Sequence, residues 1–371
     1  MSPESNLEKL SGLGQSVWID SLSREMLESG QLAELMKADA VTGVTSNPTI
    51  FQKALAEGAR YDAQLKELLG SVDDPTEIFF QLAAQDVSNA CDLMSGVWDG
   101  GAGLRGYVSI EVDPTLAYDT EATYEQAKLL HAQIDKPNLY VKIPATRPGL
   151  PAIEDMIAAG KSINVTLIFS LQRHREVMEA YIRGLERLVA SGGDPRKVSS
   201  VASFFVSRVD TEADKRLDGI GSEAALALRG KLAVANARLA YQNWHETFSG
   251  ERWQFLASKG ASKQWCLWAS TSTKNPDYRD VLYVESLIGP ETINTMPLET
   301  VEAFQDHGNV ALTLEEGIDE ARSVMSELDR VGVDVDDVTE TLEAEGVQKF
   351  DDSFQELLDG IRAKHGELVS A

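Results

Sequence analysis

Apolar positions follow two different periods along this chain. Short apolar runs with the composition of buried strands are followed by longer stretches in which apolar residues recur every three or four positions. The runs occupy residues 17–20, 43–47, 106–113, 139–145, 163–169, 198–208, 263–270 and 291–296. The stretch 175–190 has one apolar helix face, formed by Val177, Tyr181, Leu185 and Leu188. Eight alternations predict an α/β fold, an eight-stranded parallel β/α barrel of the TIM type; an open doubly wound sheet is the alternative.

Two regions exceed what such a barrel needs. Residues 211–262 are rich in Ala and Leu at helical spacing and predict a helical insert, a hairpin packed on the barrel. Residues 313–371 predict a C-terminal helical extension that also packs on the barrel. Its apolar stripe consists of Phe350, Phe354, Leu357 and Ile361. Because no linker rich in Ser or Gly interrupts the chain, residues 1–371 are predicted to form a single domain.

The net charge of the chain limits which molecules it can bind. Asp and Glu number 59 against 34 Lys and Arg, giving a net charge of −25, which repels nucleic acid and anionic membranes. An anionic substrate would therefore need a local basic pocket. Only two cysteines, Cys91 and Cys266, are present, and they make no disulfide framework. Without a signal peptide or an apolar membrane span in the sequence, we expect a soluble, cytoplasmic protein.

Two familiar site motifs are rejected. Gly101, Gly103 and Gly106 spell G-x-G-x-x-G, but a helical pattern precedes them and a strand follows. Dinucleotide binding requires the opposite order, because the helix N-terminus holds the pyrophosphate. The five histidines are not at ligand spacing, so no metal site is predicted. We expect His131 and His174, in polar helical contexts, to be exposed to solvent.

Polar residues lie within or just after seven of the eight predicted strands. They are Asp20, Asn47, Glu111, Lys142, Asn164 with Thr166, Ser203 with Arg208, and Ser270 with Lys274. Taken singly, Asn47 fits a helix cap and Lys142 fits an exposed strand edge. Arg208 likewise fits an ion pair with Asp210 or Glu212. A closed barrel has no edge, however, and its strand ends converge, so together these residues predict one site.

Lys142 carries the most specific chemistry in this set. An amine among apolar neighbours loses the hydration of its charged form, which leaves neutral amine available near neutral pH. A neutral amine attacks a ketone to form a Schiff base, and the protonated Schiff base is an electron sink for breaking an adjacent C–C bond. Asp20 and Glu111 are available as the two acid/base groups that such chemistry needs.

Several segments resemble the transaldolase family, and in particular a longer bacterial subgroup of it. GVTSNPTIF at 43–51 and LYVKIPAT at 139–146 are similar to its two signature segments. Further matches are IEVDPTLAYDTEAT at 110–123, INVTLIFS at 163–170 and SFFVSRVDT at 203–211. The resemblance runs in order from the first strand to the eighth. It implies a barrel like those of class I aldolases, no cofactor, no metal and sugar-phosphate substrates.

The reaction that the resemblance implies is transfer of a dihydroxyacetone unit from sedoheptulose 7-phosphate to glyceraldehyde 3-phosphate. The products would be erythrose 4-phosphate and fructose 6-phosphate, in the non-oxidative pentose phosphate pathway. One alternative is a fructose-6-phosphate aldolase that releases free dihydroxyacetone; such relatives carry Gln in place of Glu111 and Tyr in place of Phe205. Another is a sugar-phosphate-binding protein without catalysis. The sequence leaves monomer and homodimer open.

The resemblance also implies individual roles. Lys142 would form the Schiff base, and Asp20 would be the general acid/base at the C4 hydroxyl. Glu111 with Thr166 would bind and activate the water that is lost and regained in Schiff-base formation. The implied substrate-binding residues are Asn47, Asn164 and Ser203 for hydroxyls, Phe205, Arg208 for phosphate, Ser270 and Lys274. One segment departs from the family, because ASTSTK at 269–274 stands where shorter members have Ala-Ser-Phe-Arg. Lys274 is displaced by two residues, and it offers a point charge in place of a bidentate fork.

Overall fold

A computed structural model describes residues 5–38, 40–56, 59–101 and 105–370, with only the backbone described for 365–370. All eight predicted strands are present, and each pairs in parallel with its neighbours in chain order, β8 closing on β1. The strands are β1 (Gln15–Asp20), β2 (Val41–Thr45), β3 (Tyr107–Glu111), β4 (Leu139–Pro144), β5 (Ile163–Ile168), β6 (Ser200–Phe205), β7 (Trp265–Ala269) and β8 (Thr292–Met296). The eight-stranded parallel barrel is confirmed, and the open sheet is wrong.

Helices surround this barrel. They are α1 (Asn6–Gly12), α2 (Arg24–Glu28), α3 (Gln31–Ala38), α4 (Pro48–Ala56), α5 (Asp62–Leu68), α6 (Pro75–Gly100), α7 (Thr120–Ile134), α8 (Gly149–Ala158), α9 (Leu171–Ala190), α10 (Ser207–Ile220), α11 (Glu223–Leu226), α12 (Leu232–Thr247), α13 (Glu251–Ser258), α14 (Leu282–Ser286), α15 (Leu298–His307), α16 (Ile318–Val331) and α17 (Val335–Ser370). None of the described helices combines the length and apolar character needed to cross a membrane.

The strand sequences suit a barrel because both of their faces are buried. Every residue of β4 is buried, Lys142 included, as expected for a strand with side chains inside the barrel and under the helices. The register sets Glu111 beside Lys142 and Lys142 beside Asn164, so these three side chains lie in one row across β3, β4 and β5. A second row joins Asp20 of β1 to Thr45 of β2.

Two histidines contradict the sequence-based expectation. His174 and His131 are buried, on the inner faces of α9 and α7. His174 is three residues before Val177 and extends the apolar face of α9, where it contacts the ring of Phe204 edge-on. An imidazole ring nitrogen of His131 meets the Ser162 carbonyl oxygen at 3.0 Å. Loss of hydration lowers the pKa of both histidines to about 4.

The regions beyond a minimal barrel are entirely helical. Between β6 and β7 the chain forms α10, α11, α12 and α13, where the sequence predicted a single hairpin; α12 packs on α9, α10 and α16. The long helix α17 packs on α4, α6, α10 and β5. The stripe predicted from Phe350 to Ile361 is buried. Gly101 caps the end of α6 and Gly106 precedes β3 with a φ of +82°, while Gly103 lies outside the described residues.

Candidate active site

A cavity of about 330 Å³ opens at the C-terminal ends of the barrel strands. Nine of the eleven predicted site residues line it: Asp20, Asn47, Lys142, Thr166, Ser203, Phe205, Arg208, Ser270 and Lys274. Glu111 and Asn164 do not line it. Four cations and two carboxylates are among its lining side chains. The acidic protein therefore has the local basic pocket that an anionic substrate requires.

Lys142 is buried at the foot of this cavity, with 5% of its surface exposed. Its Nζ donates hydrogen bonds to Glu111 Oε2 at 3.0 Å and to the Ser46 carbonyl oxygen at 2.9 Å. The sequence suggested a lysine among apolar groups only, and that picture is wrong, because a carboxylate is its direct partner. The amine thus has a fixed position and a proton acceptor within hydrogen-bonding distance.

Glu111 lies behind Lys142, at the end of β3. Burial raises the pKa of the Glu111 carboxyl, the Lys142 ammonium opposes this effect, and the charge of Asp20 adds to it. Its second oxygen, Oε1, is buried without a hydrogen-bond partner, and so is the Thr166 hydroxyl. Buried polar atoms normally have partners, so each of these two atoms is free to bind a substrate atom or a water.

Asp20 ends β1 and accepts a hydrogen bond from the Thr45 hydroxyl at 2.8 Å. The Thr45 hydroxyl also lies 2.7 Å from that of Thr295 on β8. Loss of hydration raises the pKa of Asp20, whereas Lys142, the Thr45 hydrogen bond, Arg208 and Lys274 act in the opposite direction. A carboxyl with a raised pKa in a basic cavity is suited to taking up and returning a proton.

Asn164 holds a neighbour in place and does not face the cavity. It is fully buried, its Nδ2 donates to Ser109 Oγ at 3.1 Å, and its Oδ1 accepts from Ser203 Oγ at 2.7 Å. Ser203 does line the cavity. These two contacts leave one N–H of the amide available, so the substrate contact expected of Asn164 stays a prediction.

Asn47 is both a helix cap and a cavity residue, the two interpretations that the sequence allowed. Its Oδ1 accepts a hydrogen bond from the Ile50 backbone N–H at 3.0 Å, at the start of α4. It also lines the cavity. Capping α4 in this way orients the first turn of that helix, which borders the cavity as well.

Arg208 lies in the first turn of α10, and the alternative pairing expected for it is wrong. Asp210 instead accepts hydrogen bonds from Tyr283 Oη and the Ala233 N–H. Glu212 pairs with Lys215 and Arg216.

The Arg208 guanidinium lies 5.4 Å from the centre of the Phe205 ring. Its Nη1 is buried without a hydrogen-bond partner, and burial lowers its pKa. Within the described part of the chain it forms no ion pair, so its charge is available to an anion.

The loop after β7 adds a second, more exposed cation. Lys274 is exposed, and its Nζ donates to Ser272 Oγ at 2.6 Å. Ser270 directly follows β7 with a φ of +56°, and its hydroxyl lies 2.9 Å from that of Ser207 at the start of α10. This contact joins the segments that carry Arg208 and Lys274, and both cations line the cavity.

Sequence reasoning missed several lining residues. They are Thr49, Ile50, Lys53, Ala269, Ser272, Thr295, Pro297, Glu299 and Phe350. On α4, Lys53 follows Ile50 by three positions and Thr49 by four, so these residues share one helix face. This spacing directly after Asn47 could have indicated them as site residues. Phe350 was recognised only as part of an apolar stripe, because nothing in the local sequence shows which surface α17 covers.

A family model and the similar proteins of known name all point to the same protein family. The family model described as transaldolase/fructose-6-phosphate aldolase matches residues 17–361. A protein of Parafrankia sp. named transaldolase is 52% identical over 365 residues, which are 98% of this chain and 99% of the relative. Transaldolases of Mycobacterium ulcerans and Mycobacterium tuberculosis are also 52% identical, over 99% and 96% of both chains, respectively.

Proposed function

This chain belongs to the transaldolase/fructose-6-phosphate aldolase family, and from that premise we propose that it is a transaldolase, a transferase that works through a Schiff base on Lys142. Its donor is sedoheptulose 7-phosphate, its acceptor is glyceraldehyde 3-phosphate, and its products are erythrose 4-phosphate and fructose 6-phosphate. The site residues all come from the chain itself, and this chemistry requires no cofactor.

The first step forms the Schiff base. Lys142 passes a proton to Glu111, whose Oε2 is 3.0 Å away, and the neutral amine attacks the donor's C2 ketone. The resulting carbinolamine loses its C2 oxygen as water, which leaves the protonated C2=N bond. The water is held by Glu111 Oε1 and the Thr166 hydroxyl, the two buried atoms that otherwise have no hydrogen-bond partner.

The second step breaks the C3–C4 bond. Asp20 takes the proton of the C4 hydroxyl, the C4 oxygen becomes the aldehyde oxygen, and the bonding electrons move through C3 and C2 to the nitrogen. The aldehyde leaves and the three-carbon enamine stays on Lys142. The acceptor aldehyde then reverses these steps: C3 attacks it, Asp20 returns the proton, and water releases the new ketose.

The phosphate is bound at the other end of the cavity. Arg208 supplies the unpaired guanidinium and Lys274 a second positive charge, while Ser270 and Ser272 add hydroxyl groups. Phe205 forms an apolar wall under Arg208. We propose Asn47, Ser203 and Asn164 for the hydroxyls of the three-carbon unit, and Asn164 also accepts a hydrogen bond from Ser203.

The observation that carries this proposal is the buried pair of Lys142 and Glu111 at the foot of a basic cavity. A sugar-phosphate-binding protein without catalysis would gain nothing from such a pair, because moving both charges out of water costs roughly several kcal/mol per ion. The residues Glu111 and Phe205 also match the transferase and not the aldolase that releases dihydroxyacetone.

The decisive experiment is borohydride reduction in the presence of fructose 6-phosphate, followed by peptide mass mapping. The peptide with Lys142 should gain the mass of a reduced three-carbon adduct, and an assay with erythrose 4-phosphate should show transfer. Labelling at Lys53 or Lys161 would contradict the assignment. Release of free dihydroxyacetone without transfer would favour the aldolase, and no adduct would favour the binding protein.

We also propose a cytoplasmic location and one cooperative domain that includes the insert at 211–262 and the extension at 313–371. Both cysteines are free and buried, which suits a reducing compartment. Helices of both regions pack on the helices around the barrel. A single calorimetric unfolding transition, with equal calorimetric and van't Hoff enthalpies, is the expected outcome.

A further inference from the structure

One wall of the cavity comes from α17, which lies far along the chain from the strands. Of the described residues of α17, only Phe350 lines the cavity. Its ring centre lies 5.9 Å from Lys142 Nζ, and the ring is 5% exposed. The Lys142 amine therefore has Glu111 and the Ser46 carbonyl as polar partners and an aromatic ring as an apolar neighbour.

Phe350 differs from the other members of its stripe. Phe354, one turn further, packs against the rings of Phe79 and Phe80, at 5.5 and 6.2 Å between centres. Phe350 has no aromatic partner among the described residues, and its one ring interaction is with Lys142. Packing of α17 on the barrel is thus supplied by its neighbours, while Phe350 is directed at the reactive amine.

The position of α17 over the cavity is fixed by specific contacts. Gly346, one turn before Phe350, lies directly against the end of β5, since a Cβ atom there would be 3.1 Å from Leu167 Cδ2. Three polar contacts hold the helix on different neighbours: Ser353 with Thr49 of α4 at 2.7 Å, Glu343 with Arg173 of α9 at 3.2 Å, and Asp337 with Arg216 of α10 at 2.6 Å.

We propose that Phe350 is a specificity-determining residue, whose ring keeps bulk water, and the proton that it would deliver to C3, from the three-carbon enamine and so directs the enzyme to transfer instead of release. This inference rests on the proposed function. Excluding water from a closed site protects a reactive intermediate from hydrolysis. An apolar ring beside the amine does this without adding a group that could bind or activate a water.

The competing reaction is defined by its atom balance. After the first aldehyde leaves, the enamine takes a proton at C3 and becomes the protonated Schiff base of dihydroxyacetone. Water then adds to C2, and the C2–N bond breaks. The water oxygen remains as the ketone oxygen, one of its protons goes to the Lys142 nitrogen, the other replaces the proton taken up at C3, and free dihydroxyacetone departs. Because water hydrolyses the Schiff base in both reactions, transfer requires that the acceptor reach C3 before a proton does.

The test measures a ratio and not only a rate. Wild type and Phe350→Ala receive fructose 6-phosphate with limiting erythrose 4-phosphate, and free dihydroxyacetone and sedoheptulose 7-phosphate are quantified in the same reaction. Phe350→Ala should raise the ratio of release to transfer about tenfold, the change that about 1.4 kcal/mol in a relative barrier produces. Phe350→Leu, which conserves apolar volume, should raise it less.

A matched control separates this role from loosening of the helix. Leu357, two turns further on the same stripe, is buried and does not line the cavity. Leu357→Ala should lower stability while leaving the ratio unchanged. If Phe350→Ala and Leu357→Ala lower the rate with the same ratio as wild type, the inference is wrong.

Two further outcomes are also informative. If Phe350→Ala fails to fold, Phe350→Leu decides, and an unchanged ratio there contradicts the inference. If wild type shows no Lys142 adduct or no transfer, the proposed function itself fails. If wild type forms the Lys142 adduct and transfers normally, and the Phe350 variants keep the wild-type ratio of release to transfer, only the role of Phe350 is contradicted.

Discussion

Lys142 and Arg208 line the same cavity but differ in how their charges are paired. Lys142 has an ion pair with Glu111, and Asn164 holds Ser203 and Ser109 by hydrogen bonds, while Glu111 Oε1 and the Thr166 hydroxyl are the buried atoms there without partners. Around Arg208, the guanidinium has no ion pair within the described residues, and a buried Nη1 has no acceptor.

This difference separates covalent chemistry from binding. Groups that must meet a reacting atom are held in place beforehand by protein partners, because small displacements cost much of the rate. Groups that bind a dianion are left without partners, so that the ligand supplies the missing interactions. The substitutions below test the comparison, from the largest expected effect to the smallest.

Removing the amine should have the largest effect. Lys142→Met keeps the length of the side chain but cannot form a Schiff base, so transfer should fall to background and borohydride should label no peptide. Glu111 then loses its cation, and burial should raise the pKa of its carboxyl further. Residual transfer with a labelled peptide elsewhere in the chain would show that another lysine is the nucleophile.

Asp20→Asn should rank second. Without a base for the C4 hydroxyl, cleavage should slow about 10²–10⁴-fold, while borohydride still traps the uncleaved ketose on Lys142. The pKa of Asp20 is raised by burial, and it acts as a base only when ionised, so wild-type activity should fall as pH decreases through that raised pKa. This acidic limb should be lost in the variant. Equal losses of trapping and cleavage would contradict a role confined to the C4 proton.

Glu111→Gln should affect different steps. Proton transfer for forming and hydrolysing the Schiff base should slow about 10²-fold, at the lower end expected for acid/base groups. Cleavage measured in a single turnover from preformed adduct should change less. The substitution also leaves the buried Lys142 unpaired, which should lower the free energy of unfolding by about 3–5 kcal/mol. A variant with wild-type stability and selectively slow cleavage would reverse the roles assigned to the two acids.

Arg208→Ala tests the binding end. The loss of charged hydrogen bonds to phosphate, about 1.5–3 kcal/mol each, should lower kcat/KM for phosphorylated substrates roughly ten- to a hundredfold. Unphosphorylated fructose should be affected much less. Arg183→Ala, at an exposed arginine paired with Glu154, provides the control. Proportional losses for both substrates would assign Arg208 to the fold or to the chemistry.

Lys274→Ala should give the smallest change. Its side chain is exposed and offers a point charge, so kcat/KM for phosphorylated substrates should fall only about three- to tenfold. Salt should reduce the difference between variant and wild type, because exposed charges are screened. Lys215→Ala, at an exposed lysine of α10, is the matched control. A loss larger than that of Arg208→Ala would place the main phosphate contact on the loop after β7.

The sequence predicted the barrel well because each strand is marked locally by a short apolar run, and seven of the eight also by a polar residue within the run or just after it. The sequence also indicated nine residues of the cavity for the same reason. The sequence could not show that Asn164 and Glu111 lie outside the cavity lining. That depends on how the strands are aligned, because the register sets Glu111, Lys142 and Asn164 side by side across β3, β4 and β5. Phe350 was missed because contact between α17 and Lys142 depends on tertiary packing, which local periodicity does not specify.

The place of α17 in the chain has a consequence for synthesis. The helix follows all eight strands and packs on α4, α6, α10 and β5, so a single cooperative domain can form only after the segment carrying Phe350 has been translated. Until then Lys142, Glu111 and Asp20 have no finished cavity around them. The amine and its aromatic neighbour therefore come together in one folding event, and no reactive barrel without that wall precedes it.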